Sequence, residues 1–398
     1  MSEKLFVADE NEIRHGTVMD VYFDRTKKIL EAKGLSKVQA VAEVTCGSIP
    51  NKWPWAVFCG LEEVVRLMEG LPIDLYAVPE GTIFKARDSA SVRVPLINIS
   101  GAYCDYGVYE TAMLGMICQP SGVATSSARV KCAAKGKTVF AFGNRRMHPG
   151  IAGVLDRSCF IGGCDGVSSE FGAALCGTEA VGTVPHALML TMGSNEAAFK
   201  AFDEIIDPKV ARIMLIDTFE DERAAAVAAC KAVKDLKGVR LDTPSSRRGN
   251  FKELINEVRW ELDINGYKDV KIIASGGLNE DSIKDIVDSA VAGFGVGTSI
   301  ANAPTLDFSM DLVEKEGKPI SKRGKFSGRK FAYRCPCCFE MGVALSPDAE
   351  VKCEKCGCAM EMIEKPVLKA GKRVDKERTP KEIRESVLEQ LRTLKELA

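Results

Sequence analysis

Between residues 137 and 299 the chain alternates short apolar runs with amphipathic stretches. The apolar runs at 138–142, 160–162, 180–183, 212–216, 239–241, 270–274 and 293–296 predict seven strands. Apolar residues at helical spacing predict helices over 219–236, 251–262 and 281–291, with Thr218, Asn250 and Asn279 as their caps. Strand recurrence of roughly twenty to thirty residues suits parallel βα units. The fold class is therefore α/β, with an incomplete or irregular (β/α) barrel from 113 to 303. A dinucleotide fold is a poorer fit, because Gly293-Phe294-Gly295-Val296-Gly297 ends a late strand and has no acidic partner in a following unit.

The flanking pattern differs. Residues 39–45 read as a strand, 61–70 as a helix with Leu61, Val64, Val65 and Met68 on one face, and 73–97 as hairpins around Pro79-Glu80-Gly81. Residues 1–112 thus form an α+β domain. A buried helix over 109–122, continued through 126–130, leads into the barrel. At the other end, Thr379-Pro380-Lys381-Glu382 starts a helix with Ile383, Val387, Leu391 and Leu394 on one face.

The formal net charge of -1 argues against a general nucleic-acid or membrane-surface binder, so any anion must be held by local clusters. No apolar run approaches the length of a membrane span, and no secretory leader pattern is present, which predicts a soluble, unprocessed chain. Nine of the fifteen cysteines lie before residue 231, mostly in apolar settings, as expected of reduced thiols in cytoplasm. The other six form Cys335-Pro336-Cys337-Cys338 and Cys353-Glu354-Lys355-Cys356-Gly357-Cys358. Two C-x₂-C pairs fourteen residues apart match a four-thiolate zinc site. Cys335, Cys338, Cys353 and Cys356 are the assigned ligands, with Cys337 and Cys358 as possible substitutes. No open coordination position is evident, so the zinc is expected to be structural, in a knuckle domain with a terminal helix over 331–398.

Candidate chemistry follows each predicted strand, on what would be one barrel mouth. Phe142-Gly143-Asn144-Arg145-Arg146 places an aromatic ring beside two arginines, which bind carboxylate or phosphate through paired hydrogen bonds. Gly162-Gly163-Cys164-Asp165-Gly166 and Gly182-Thr183-Val184-Pro185-His186 come next. Asp217 and Asp242 suit Mg²⁺ or ribose hydroxyls, against the plainer reading of helix caps or turns. Arg247 and Arg248 could hold a diphosphate, or either could only solvate a helix start. Ser275-Gly276-Gly277, before a helix, and Gly295-Val296-Gly297-Thr298-Ser299 leave backbone N–H groups open to a phosphate. Tyr22 and Phe23, early in the chain, are more readily core anchors than ligands. The loops together point to a phosphorylated, Mg²⁺-bound substrate and a small planar acid.

In order and spacing over residues 15–330, six of these motifs together resemble nicotinate phosphoribosyltransferase, a type II phosphoribosyltransferase. They are Asp20-Val21-Tyr22, Phe142-Gly143-x-Arg145-Arg146, Gly163-x-Asp165-Gly166, Gly182-Thr183-x-Pro185-His186, Ser275-Gly276-Gly277 and Gly295-x-Gly297-Thr298. The resemblance implies an N-terminal sandwich over the barrel, with 304–330, including Lys325 and Ser327, returning to it. It implies that nicotinate and 5-phosphoribosyl 1-diphosphate give nicotinate mononucleotide and diphosphate with Mg²⁺, in NAD salvage. Phe142 would stack on the pyridine, and Tyr22 of a neighbouring subunit would close the other face in a homo-oligomer with shared sites. Arg145 would contact the carboxylate, with Arg146 and Thr183 nearby, and Asp165 would lie near the ring. Asp217 and Asp242 would serve ribose and Mg²⁺. The loops of Ser275, Gly276 and Gly277 and of Gly295, Gly297 and Thr298 would hold the 5-phosphate. His186 would take a phosphoryl group from ATP, the co-substrate. Quinolinate phosphoribosyltransferase and an inactive zinc-dependent binding protein are the competing readings.

Overall fold

The computed structural model describes residues 5–394. They divide into two compact units, one of residues up to Thr125 with those from Ala303 onward, the other of Ser126–Asn302. Seven strands form the sheet of the first unit, in the order Lys318–Pro319, Phe308–Lys315, Gln39–Cys46, Pro95–Ala102, Asp74–Ala77, Lys365–Lys369 and Lys372–Arg373. Every neighbouring pair is antiparallel. Side chains alternate across it. Ala42, Val44 and Cys46 join the apolar core with Leu75, Ile97 and Ile99. The opposite face carries Glu43, in register with Asp311 and Asn98 on the strands beside it. Buried carboxylates need partners, and the 321–330 segment supplies them. Lys330 pairs with Glu43 at 2.9 Å, while Lys322 and Lys325 pair with Asp311.

The helix Leu61–Met68 forms where its apolar spacing predicts, burying Leu61, Val64, Val65 and Met68 in the core. Each such side chain contributes on the order of 1.5–3 kcal/mol of burial before entropy is counted. The described residues after 330 do not stand apart from this unit. The Lys365–Lys369 strand pairs with Asp74–Ala77. The helix Pro380–Thr393 starts at a capping box between Thr379 and Glu382 and buries Ile383, Val387, Leu388 and Leu391. Its buried Gln390 donates to the Gly81 carbonyl and accepts from the Ile83 N–H, tying the helix to the hairpin region.

The second unit holds six parallel strands in the order Gly166–Val167, Thr138–Ala141, Gly293–Val296, Lys271–Ala274, Leu236–Leu241 and Arg212–Leu215. Among the described residues the two outer strands do not pair, so the barrel is open. Two expected strands are corrected. Residues 160–162 end the helix Ala152–Ile161, whose buried Leu155, Cys159, Phe160 and Ile161 mimic a strand run, and the strand comes later at Gly166–Val167. Residues 180–183 form no strand, although the Val181 N–H still donates to the Val167 carbonyl. The helix expected over 219–236 is Glu222–Ala232; it begins at Asp221 rather than Thr218, because the Asp221 side chain accepts from the Arg223 N–H, and it ends early because Leu236 already belongs to the next strand. Asn250 and Asn279 cap their helices as predicted. No described helix is long and apolar enough to cross a membrane.

Candidate functional site

Arg240 is the junction of the second unit, and the sequence reading missed it. It lies in the Leu236–Leu241 strand between Val239 and Leu241, both fully buried, so alternation turns it to the other face of the strand. Its Nε donates to the Ser275 hydroxyl at 2.8 Å and its Nη1 to the Thr183 hydroxyl at 2.8 Å; its Nη2 lies 3.1 Å from Asp242 Oδ1. The Ser275 hydroxyl in turn donates to Asp242 at 2.6 Å. One guanidinium therefore fixes three of the expected site residues. The available signal was a single arginine inside an apolar strand, two residues before an aspartate.

The Arg240 guanidinium also lies over the Phe142 ring, 5.2 Å from its centroid. Phe142 stacks at 6.1 Å on Phe140, the residue two before it on the same strand face. Gly295 lets this ring lie flat, since a Cβ there would meet the ring carbons at 2.6 Å. A side chain at Gly295 would drive Phe142 off that position.

Asp217 follows the Arg212–Leu215 strand and its side chain is only 1% exposed. His186, first residue of the helix His186–Met192, meets it through Nε2 at 3.2 Å from Oδ2. The other carboxylate oxygen of Asp217 is buried with no hydrogen-bond partner among the described residues. Burial pushes the Asp217 carboxyl up; His186 opposes the rise and the charge of Asp242 adds to it. A buried carboxylate oxygen left without a partner fits a hydroxyl donor or a cation that is bound with the substrate. The structure thus brings together His186, Asp217, Asp242, Thr183, Ser275 and Phe142.

The two glycine loops lie beside them. Gly276 and Gly277 have φ of +89° and +71°, which L side chains rarely adopt. The helix that follows starts at Glu280, and the Asn279 side chain caps it, as its sequence predicts. Any anion would therefore be held by the loop amides rather than by a helix end. Arg248 braces this loop by donating to the Gly276 carbonyl at 2.9 Å while its guanidinium stacks on Phe251. At the second loop, Gly297 lies against the Phe142 carbonyl, and Thr298 accepts from Arg146 Nε at 3.1 Å. Arg145 and Arg247 are exposed, on the one-turn helices Asn144–Arg146 and Ser245–Arg248.

One expected residue is placed elsewhere. Asp165 precedes the Gly166–Val167 strand, at its amino end. There it pairs with Lys131 at 2.6 Å and accepts from the Val139 N–H. A loop glycine run suggested the mouth, but the carboxylate ties strand starts together, which corrects its expected place near the ring. Tyr22, half exposed on the helix Val21–Ala32, belongs to the first unit.

The cysteine cluster is also in the first unit. Sulfur atoms of Cys335, Cys338, Cys353 and Cys356 all lie within 4.8 Å of one another, as a metal ion would require. Two turns of the same design present them. The N–H of Phe339 donates to the Cys335 carbonyl and that of Gly357 to the Cys353 carbonyl, and both donors have positive φ, 57° and 75°. Burial pushes the Cys335 thiol up, but the N–H groups of Cys338 and Cys337 aimed at its sulfur prevail and bring it to about 6. Thiolate is the form that binds metal, and the loop amides favour it at Cys335. Burial and neighbouring sulfurs instead push the Cys338 thiol up. Against the Cys358 N–H, the Cys335 and Cys353 sulfurs push the Cys356 thiol up.

Comparisons with known proteins agree with this architecture. Residues 20–121 match the N-terminal domain and 123–311 the C-terminal domain of quinolinate phosphoribosyl transferase. The solved nicotinate-nucleotide pyrophosphorylase from Pyrococcus furiosus is 50% identical, covers 99% of each chain and superposes with a TM-score of 0.93. Human nicotinic acid phosphoribosyltransferase shares the fold, with a TM-score of 0.74 over 94% of each chain at 18% identity. The nicotinate phosphoribosyltransferase pncB2 of Mycobacterium tuberculosis is 32% identical over 285 residues. That alignment covers 68% of this chain and spans 58% of the relative's length.

Proposed function

Because the chain belongs to the family of nicotinate and quinolinate phosphoribosyltransferases, we propose that it joins nicotinate to 5-phosphoribosyl 1-diphosphate in NAD biosynthesis. The pyridine nitrogen forms a bond to the anomeric carbon as the bond from that carbon to diphosphate breaks. The observation that carries this reading is the Arg240 junction, which ties a flat aromatic ring, the Asp242 carboxylate, Thr183 and Ser275 of a glycine loop together at the ends of neighbouring strands. Positive charge developing on the ribose calls for alignment and carboxylates more than for a protein nucleophile.

In this reading Phe142 stacks on the pyridine and Arg145 pairs with its carboxylate, with Arg146 beside it. The amides of Ser275, Gly276, Gly277, Gly295 and Gly297, with Thr298, hold the 5-phosphate, and Arg247 reaches the diphosphate. Asp217 and Asp242 receive the ribose hydroxyls, and the partnerless Asp217 oxygen also fits Mg²⁺. Mg²⁺ would neutralise the departing diphosphate. Tyr22 closes the base site from a neighbouring copy in a cytoplasmic homo-oligomer. Arg145→Ala is expected to raise the KM for nicotinate by about a hundredfold, the loss of one charge-assisted pair. Steady-state kinetics with nicotinate as the varied substrate check it, and an unchanged KM removes Arg145 from the site. The names of the matching domain families favour quinolinate as the second reading, in which the product forms with release of CO₂.

His186 is the acceptor for a phosphoryl group from ATP. Where its Nε2–H donates to Asp217, Nδ1 carries the lone pair that attacks. The added negative charge would organise the diphosphate and its cation. His186→Ala is expected to lose ATP-stimulated turnover while keeping slow, ATP-independent nucleotide formation. Rates measured against ATP, with acid-labile phosphate counted on the wild type, decide this. Absence of both stimulation and phosphohistidine would reduce His186 to a diphosphate contact.

The four thiols Cys335, Cys338, Cys353 and Cys356 hold a structural zinc, since an all-sulfur set within reach of one ion suits Zn²⁺ and leaves no open position. Protein purified without chelators is expected to contain about one zinc per chain. Cys335→Ser should lower the melting temperature more than it lowers kcat. Metal analysis finding no zinc in reduced protein contradicts the assignment.

A further inference from the structure

Two thiols of the cluster remain once four are given to the metal. Cys335 with Cys338, and Cys353 with Cys356, hold equivalent places in the two matching turns. Cys337 sits inside the first turn and Cys358 just beyond the second, Cys337 exposed and Cys358 partly so. Their sulfurs are 2.8 Å apart. That is shorter than the 3.3, 3.4 and 3.6 Å separating Cys335 from Cys356, Cys338 from Cys353 and Cys338 from Cys356. A second quartet, Cys335, Cys337, Cys356 and Cys358, also falls within 4.8 Å. It would strand Cys338 with Cys353, which is 3% exposed, and would abandon the symmetry of the two turns. The leftover pair is therefore the exposed one.

We infer that Cys337 and Cys358 form a redox-active dithiol that closes to a disulfide across the two metal-binding turns. This deepens the zinc reading and rests on it. Two S–H bonds are lost and one S–S bond forms; the two protons and two electrons reduce a low-molecular-weight disulfide to two thiols. Metal binding would withdraw the four ligand thiolates, the exposed Cys356 among them, from that exchange and leave this pair available to it. A bridge between the turns limits how far they can separate, so a ligand that leaves the metal rebinds before the ion escapes. The disulfide acts as a latch on the site.

The test equilibrates the metal-loaded full chain in glutathione buffers of rising oxidised fraction. Unreduced digests are mapped by mass spectrometry, and metal content and release to a chelator are followed in parallel. The expected result is a Cys337–Cys358 cross-link, about 2 Da lighter than the paired reduced peptides, with the metal retained. Release should be about tenfold slower in the oxidised chain. Cys358→Ser and, independently, Cys337→Ala should remove both the cross-link and the slowing. A pair that stays reduced, a cross-link between Cys338 and Cys353, or equal release rates would overturn the inference. Metal absent from the reduced chain would defeat the zinc reading itself, and the latch with it.

Discussion

Arg240→Met is expected to lower kcat/KM by about a thousandfold, roughly 4 kcal/mol of transition-state stabilisation. The substitution keeps the length of the side chain but removes the donors to Ser275 and Thr183 and the ion pair with Asp242. It also leaves Phe142 without the guanidinium over its ring. Each hydrogen bond to a charged group is worth about 1.5–3 kcal/mol, and freed partners no longer hold their productive positions. Arg240→Lys should recover little, because an ammonium cannot reach three partners in one plane. Kinetics and melting curves taken together separate this from simple unfolding. A folded Arg240→Met chain with near-wild-type kcat/KM would show that the junction does not organise the site.

Asp217→Asn should divide activity from stability. Turnover is expected to fall by about two to three orders of magnitude, as the carboxylate proposed to face the ribose loses its charge. The substrate-free chain should become more stable near neutral pH. The sign follows from the raised carboxyl of Asp217. A folded chain that binds this proton more readily than the unfolded chain is penalised once the group ionises. The penalty is present above the raised value and fades as pH falls through it. The melting difference between variant and wild type should therefore shrink toward zero in acid. A variant that melts below wild type at neutral pH would mean that the ionised carboxylate supports the fold.

How much of this was legible in the sequence depended on the kind of signal. Strands with sharp ends, such as Lys271–Ala274 and Gly293–Val296, declared themselves through apolar runs closed by glycine or serine. The 160–162 run did not, because a few consecutive apolar residues fit a buried helix end as well as a strand. Loop residues that follow strands, among them Phe142, Asp217, Asp242 and Ser275, could be read from order alone. Arg240 could not, since its importance lies in partners 35 and 57 residues away along the chain. Asp165 shows the converse. Its glycine-rich neighbours resembled a mouth loop, yet its own bonds run to Lys131 and Val139 at the start of a strand. The cysteine spacing marked four thiols that the fold gathers closely enough to hold a metal ion, but only the fold reveals that Cys337 and Cys358 meet.

The most direct test of the account is product analysis with nicotinate, nicotinamide and quinolinate side by side, each with 5-phosphoribosyl 1-diphosphate and Mg²⁺. The account predicts nicotinate mononucleotide and diphosphate in equal amounts from nicotinate, with little or no product from the other two. Quinolinate turned over with release of CO₂, with nicotinate left unchanged, would contradict it.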